Sequence, residues 1–216
     1  MGNVRMVDVG RGLRLVPYWQ QRTAEGERKE LIIDPGPSFG AGDHPTTLMA
    51  LELLEQSMEG PLRSGPPPTL LDVGTGTGVL AIAGKALGCG LTVACDPDPA
   101  AIFTARRNLD LNRRWVPVGT GADRPVLFIG GVEAIGGRFD IVVVNLVAPL
   151  LLRLLGSITA RVGHRLVLSG IADPMAEQTL NAYGDAGLKL LTLLSRNGWN
   201  AGLFVTGLEK GRDDRV

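Results

Sequence analysis

Cysteine, histidine and net charge are what this 216-residue sequence has least of. It carries two cysteines, two histidines, and equal numbers of basic and acidic residues, 22 of each. Two thiols and two imidazoles are too few to build a zinc cage. Cys89 and Cys95 stand close in sequence, one in a turn and one at a strand end. That placement does not suit a structural disulfide and fits reduced thiols in a cytoplasm. A protein that grips nucleic acid through its phosphates carries a basic excess, so the charge balance argues against direct binding of RNA or DNA. No run reaches the ~18 apolar residues that a membrane-spanning helix needs, and the opening MGNVRMVDVGRG is too polar for a secretory leader.

What is present is an ordinary globular composition, 44% hydrophobic and 20% charged, long enough for one domain with an ample core. From residue 70 onward the pattern repeats strand, turn, helix. TLLDVG (69–74), LTVACD (91–96), VLFIGG (126–131), FDIVVVNL (139–146) and HRLVLSGI (164–171) read as strands. GVLAIAGKALG (78–88), DPAAIFTARRNLDLN (98–112), residues 149–162 and MAEQTLNAYGDAG (175–187) read as helices. Continuous apolar strands such as IVVVN belong to a parallel sheet covered on both faces. The final stretch, 188–208, reads as two strands around the turn Asn197-Gly198, a strong hairpin signal. The expected fold is therefore α/β: a doubly wound, mostly parallel, seven-stranded sheet of Rossmann-like class with a closing antiparallel hairpin. Residues 1–33 are expected to form an amino-terminal extension with one short strand, LRLVPYW, followed by an exposed loop, QQRTAEGERKE. Residues 34–210 are the domain and 211–216 a frayed tail.

Two loops carry the chemistry. DVGTGTG (72–78) lies between a strand and a helix, and its alternate glycines let the backbone turn sharply and approach a ligand. The helix behind offers free N–H groups and the positive end of its dipole. Asp96 ends the next strand, where a carboxylate can take both hydroxyls of a ribose. The third glycine comes at Gly78, with Val79 in the slot a dinucleotide fingerprint reserves for glycine. Nicotinamide binding is thereby disfavoured, and D-x-G-x-G-x-G with a following acid resembles the S-adenosylmethionine-dependent methyltransferases. The other loop, DPGPSFGAGDHPTT (34–47), is dense in turn residues and runs straight into an apolar helix that Pro45 is placed to open.

DPGPSFGAGDHPTT, LLDVGTGTGVLAIAGKALG, CDPDPAAIFTARRN, FDIVVVNLVAPLL and LVLSGI together resemble the PrmA family of ribosomal protein methyltransferases, across nearly the whole chain. The resemblance implies a class I methyltransferase fold, S-adenosyl-L-methionine as cofactor, and a protein acceptor methylated on lysine or terminal amines; no metal is expected, given the few ligand side chains. Cofactor-binding positions carried over or read from the loops are Phe39, Gly40, Thr46, Thr47, Asp72, Gly74, Thr75, Gly76, Gly78, Asp96 and Asn145. Thr47 is favoured over Thr46, and the pair has a plain alternative as helix caps. His44 either orients its own loop or acts as a base, and Asp43 has no assigned role. Asn145, ending IVVVN, either holds an amine before the methyl group or simply caps the strand. The sequence NLVAP after it lacks the aromatic platform that stacks a flat base.

Gly131 stands where methyltransferases place a polar side chain near adenine, which leaves backbone groups or Glu133 for that contact. Leucines 150–155 and Cys95 are expected in the core, as is Trp199, with the border of a substrate channel as its alternative. Too little chain precedes Asp34 for the separate recognition domain of the ribosomal enzymes, so the acceptor is less defined than the chemistry. A small-molecule or RNA methyltransferase would share the cofactor site, and so would a non-catalytic cofactor-binding subunit.

Overall fold

The computed structural model describes residues 5–20, 28–36, 42, 44–59, 65–116 and 124–207. The chain begins with β1 (Val7–Val9), β2 (Leu13–Pro17) and β3 (Lys29–Ile33), a small sheet in which β1 and β2 are antiparallel and β2 and β3 parallel. Three strands thus form where the sequence points to one. β3 begins inside the segment expected to be an exposed loop, and its polar Lys29 and Glu30 mask the inward-facing Leu31 and Ile33.

The rest of the chain follows as α1 (Pro45–Ser57), β4 (Leu70–Val73), α2 (Val79–Leu87), β5 (Thr92–Asp96), α3 (Pro99–Leu111), β6 (Val126–Ile129), β7 (Phe139–Asn145), α4 (Ala148–Thr159), β8 (Val162–Ala172), α5 (Ala176–Asp185), β9 (Leu188–Arg196) and β10 (Trp199–Thr206). Seven strands make one sheet in the order β6-β5-β4-β7-β8-β10-β9. Pairings from β6 through β8 are parallel, and β10 is antiparallel to both β8 and β9. The expected closing hairpin is present: Asn197 and Gly198 have φ of 50° and 82°, the left-handed pair that a tight hairpin turn requires.

Successive side chains of a strand point to opposite faces, and here both faces are covered. Leu70, Ile141, Val143, Val167 and Leu203 join one core with α1, α2 and the small amino-terminal sheet. Leu71, Val142, Val144, Leu166, Leu168 and Phe204 join the other, beneath α4 and α5. β1, β2 and β3 therefore share a core with the helices beside them: Leu13, Leu15, Leu31 and Ile33 are buried with Met49, Leu53 and Leu54 of α1. The leucines of α4 correct one expectation. Only Leu151 of the leucines in 150–155 is fully buried, because α4 rests on the sheet along a narrow stripe and presents Leu150 to a cleft.

Strand order reverses at β4, whose sequence successor β5 lies on one side and β7 on the other. In an open parallel sheet the crevice at such a point, beyond the carboxyl ends of the strands, is where ligands bind. Among the described residues no helix is long and apolar enough to cross a membrane.

Candidate active site

A cleft of about 480 Å³ opens at that switch point, a size suited to a small-molecule cofactor. Its floor is the turn after β4, with Gly74, Thr75 and Gly76, and one wall is Asp96 at the end of β5. The loop is pinned to β5: the N–H groups of Gly74 and Thr75 donate to the carbonyl of Cys95 at 2.9 and 3.1 Å. Asp96 Oδ2 accepts from Gly76 N at 3.0 Å and Oδ1 from Asp98 N at 3.0 Å. A carboxylate has about four lone-pair sites, so two acceptor positions are left toward the cleft. No side chain caps α2, whose first residues Val79 and Leu80 line the cleft.

Among the described residues, two of the named cofactor-binding positions do not line the cleft. Asp72 is fully buried under the loop, where its Oδ2 accepts from Thr75 Oγ1 at 2.6 Å and Ala81 N at 3.1 Å. It points to the same side of β4 as Leu70, toward α2, and braces the loop from beneath. Burial pushes its carboxyl up to about 7, against the pull of the Thr75 and Ala81 bonds and with a smaller push from Asp96. Gly78 caps α2 with φ of 81°, and a Cβ there would meet Ala105 at 3.0 Å. Its role is a close approach of α2 to α3. Phe39, Gly40 and Asp43 lie outside the described residues, as does the 211–216 tail.

The opposite wall comes from the start of α1 and the end of β7. His44 is the N-cap of α1, its Nδ1 2.8 Å from Thr46 Oγ1 and 3.4 Å from Thr46 N, and its ring meets Trp199 edge-on at 5.2 Å. Both rings line the cleft, so Trp199 stands at its border as well as packing. Thr46 and Thr47 are buried cleft residues. Asn145 Nδ2 donates to Thr47 Oγ1 at 3.3 Å, while Asn145 Oδ1 is buried with no hydrogen-bond partner among the described residues. Buried acceptors are nearly always paired, and this one belongs to a residue that lines the cleft.

Several lining residues carry no local signal. Asp98 and Ala101 belong to the first turn of α3, and Leu146, Val147, Leu150 and Gly170 bring the apolar wall. A second set acts through the backbone. Asn112 bonds both polar groups of Ile32, accepting from its N–H at 2.8 Å and donating to its carbonyl at 2.6 Å. Asn108 does the same for Asp34, at 2.8 and 3.0 Å, and also donates to Thr77 O in the glycine loop at 2.9 Å. This pair anchors the stretch leading into the 34–47 loop. Only its i, i+4 spacing on the buried face of α3 distinguishes it in the sequence. Cys89 and Cys95 are free, and burial pushes both thiols up to about 12. Glu133 is exposed on a short 3-10 turn, Val132–Ala134, and does not line the cleft.

The family model described as "Ribosomal protein L11 methyltransferase (PrmA)" matches residues 4–206. The chain belongs to this family. Curated PrmA relatives include the ribosomal protein L11 methyltransferases of Myxococcus xanthus, 38% identical over 91% of this chain and 64% of that protein, and of Pelobacter propionicus, 41% identical over 78% and 53%. The chain thus spans between about half and two thirds of the length of these relatives. Among solved structures, a ribosomal protein L11 methylase from Lactobacillus delbrueckii superposes with a TM-score of 0.79 at 25% identity, covering 94% of this chain and 98% of that one. A Synechocystis magnesium protoporphyrin IX methyltransferase solved with bound SAM shares the fold, with a TM-score of 0.59 at 16% identity over 73% of this chain and 77% of that one.

Proposed function

We propose that this PrmA-family chain binds S-adenosylmethionine in the switch-point cleft and methylates amine nitrogens of a protein, with a ribosomal protein as the acceptor. The observation that carries the reading is the end of β7. There Thr47 holds the amide nitrogen of Asn145 while Asn145 Oδ1 is left buried and unpaired at the cleft wall. The names of the relatives support the acceptor class. The residues fit the cofactor: Asp96 retains two acceptor positions for a ribose diol. The uncapped start of α2 and the first turn of α1, with Thr46 and Thr47, offer donors and positive dipole ends for a carboxylate.

When bound, S-adenosylmethionine supplies a methyl group already activated by a positive sulfonium. What this chain must provide is alignment. Asn145 Oδ1 would accept an N–H of the incoming amine and so fix the direction of the nitrogen lone pair. The apolar wall of Leu146, Val147 and Leu150 disfavours an ammonium and favours the neutral amine. The neutral amine would take that methyl group in place of the sulfonium sulfur, and its surplus proton would pass to water. His44, engaged as a helix cap, is not required as a base, and no covalent enzyme intermediate arises.

Tritiated cofactor incubated with lysate from a strain lacking this protein tests the reading. Label is expected in a ribosomal protein band; label in RNA, or none, would overturn the acceptor. Asn145→Ala is expected to lower kcat by about 10²-fold, the order seen when one aligned polar group is removed. A turnover within threefold of the wild type would remove Asn145 from the mechanism.

A further inference from the structure

The chain has ten aromatic residues, five Phe, three Trp and two Tyr, and three of them are spent on one patch of surface. Phe103 is 71% exposed, Trp19 52% and Tyr18 48%. Phe103 lies on the outer face of α3, away from the buried stripe of Ala101, Ile102, Ala105 and Leu109. Arg107, one turn further, closes the patch. Its guanidinium pairs with Asp34 Oδ2 at 2.9 Å and sits 5.8 Å from the Tyr18 ring, which meets Trp19 edge-on at 5.1 Å. Phe103 and Arg107 share a shallow cavity of about 380 Å³ with Asp34 and Thr104. At their exposures the three rings present on the order of 350 Å² to water, the size of the largest apolar patch on a typical monomer, and such patches are often functional.

The patch adjoins the cleft at the start of α3. Asp98 and Ala101 line the cleft wall, and Ala100, exposed between them, lines the shallow cavity one turn from Phe103. A polypeptide that delivers a side-chain amine into the cleft covers part of the cleft's rim, and this face lies beside that rim. We infer that the Tyr18–Trp19–Phe103–Arg107 face docks the methyl-accepting protein, taking an apolar side chain of that protein against the rings. This rests on the proposed acceptor class. The chemistry favours protein over nucleic acid: aromatic rings with arginine are the composition of protein interfaces and their hot spots. Phosphate binding would need a cationic excess, whereas Arg107 is neutralised by Asp34 and the chain's net charge is zero. Arg106, exposed beside Phe103 and without an ion-pair partner among the described residues, faces an acidic group of the partner.

The test uses large-subunit ribosomal proteins from a strain lacking this protein, the labelled protein then being purified as acceptor. Phe103→Ser and Trp19→Ser are each expected to raise the acceptor KM tenfold or more, with kcat and the Kd for S-adenosylhomocysteine within twofold of wild type. The unchanged Kd also shows that the variants fold. Arg106→Glu raises KM at low salt and less at high salt. Leu190→Ser, exposed on the distant edge strand β9, serves as the control and leaves KM unchanged. Unchanged KM in both aromatic variants overturns the docking face alone. A wild type that labels no ribosomal protein overturns the acceptor reading and the docking with it. Self-association of the wild type in sedimentation, abolished by Phe103→Ser, assigns the face to a second copy and likewise overturns the proposal.

Discussion

Replacing Gly170 by alanine tests whether the cleft wall is held by backbone contact. Gly170 is buried near the end of β8 with φ of 88°, and it lines the cleft. A Cβ built there lands 2.3 Å from the Leu146 carbonyl oxygen and 2.7 Å from its carbon. Non-bonded heavy atoms prefer about 3.5 Å or more, so the Leu146 peptide must retreat by roughly 1 Å. The residue is held on its other side by the bond from Leu146 N to Ser169 O at 3.2 Å, and it directly follows Asn145. The left-handed conformation costs alanine about 1–2 kcal/mol, and overpacking adds about 1–3. Alanine's stiffer unfolded chain returns about 0.4–1 kcal/mol. The expected net loss is about 2–4 kcal/mol, a fall of roughly 1–2 M in the urea midpoint for a slope near 2 kcal/mol per M. Gly184, in α5 with nothing within 4 Å of the place a Cβ would take, is the matched control. Its change to alanine is expected to be neutral or stabilising by about 0.5–1 kcal/mol. Equal midpoints for the two variants would show that contact with Leu146 does not hold this wall.

Three further outcomes are expected. Asp96→Ala removes the acceptor proposed for the ribose and frees Gly76 N and Asp98 N. S-adenosylhomocysteine binding measured by calorimetry should weaken by about 100-fold, from two lost charged bonds at about 1.5 kcal/mol each; less than fivefold would refute the role. Asp72 has a folded-state value raised to about 7, so its contribution is full below the ordinary carboxylate range and is lost as pH rises toward 7. In that window the unfolded chain has released a proton that the folded chain retains. Wild-type stability should therefore fall by up to about 1.4 kcal/mol per pH unit from this residue between pH ~4 and ~7. Asp72→Asn should flatten that stretch of the urea-midpoint profile, and parallel profiles would count against it. Asn108→Ala strands the polar groups of Asp34 and the carbonyl of Thr77. It should cost about 3 kcal/mol, read from thermal or urea unfolding.

The parts of the site legible in the sequence are those whose function is local. DVGTGTG and Asp96 announce themselves because a strand, a tight turn and a following acid lie within one βαβ unit, and Asn145 because it ends a continuous apolar strand. The direction of Asp72 was open to the same reasoning, since strand parity places it with Leu70 rather than with Leu71 and Val73. The start of α1, with His44, Thr46 and Thr47, is legible too, from Pro45 and the resemblance; the remaining walls are not. Asp98, Ala101, Leu150 and Gly170 come together only through sheet order, and nothing within each segment marks a cleft residue. Asn108 and Asn112 pass for ordinary helix polar residues until β3 is seen beside them. β3 itself was hidden by the charged residues that open it.

The bonds from Asn108 and Asn112 amount to a helix standing in for a strand. Residues four apart on a helix rise about 6 Å, and residues two apart on a strand about 6.6 Å. The two rulers nearly match, so two amide side chains can read the edge of residues 32 and 34 as a neighbouring strand would. The match also sets a direction, because Asn112 meets Ile32 and Asn108 meets Asp34, one running up as the other runs down. Sliding the segment by one residue would turn its peptide groups away from both amides. The edge is thus closed to pairing with another chain, and Asp34 is keyed in register to the helix whose first turn forms a wall of the cleft.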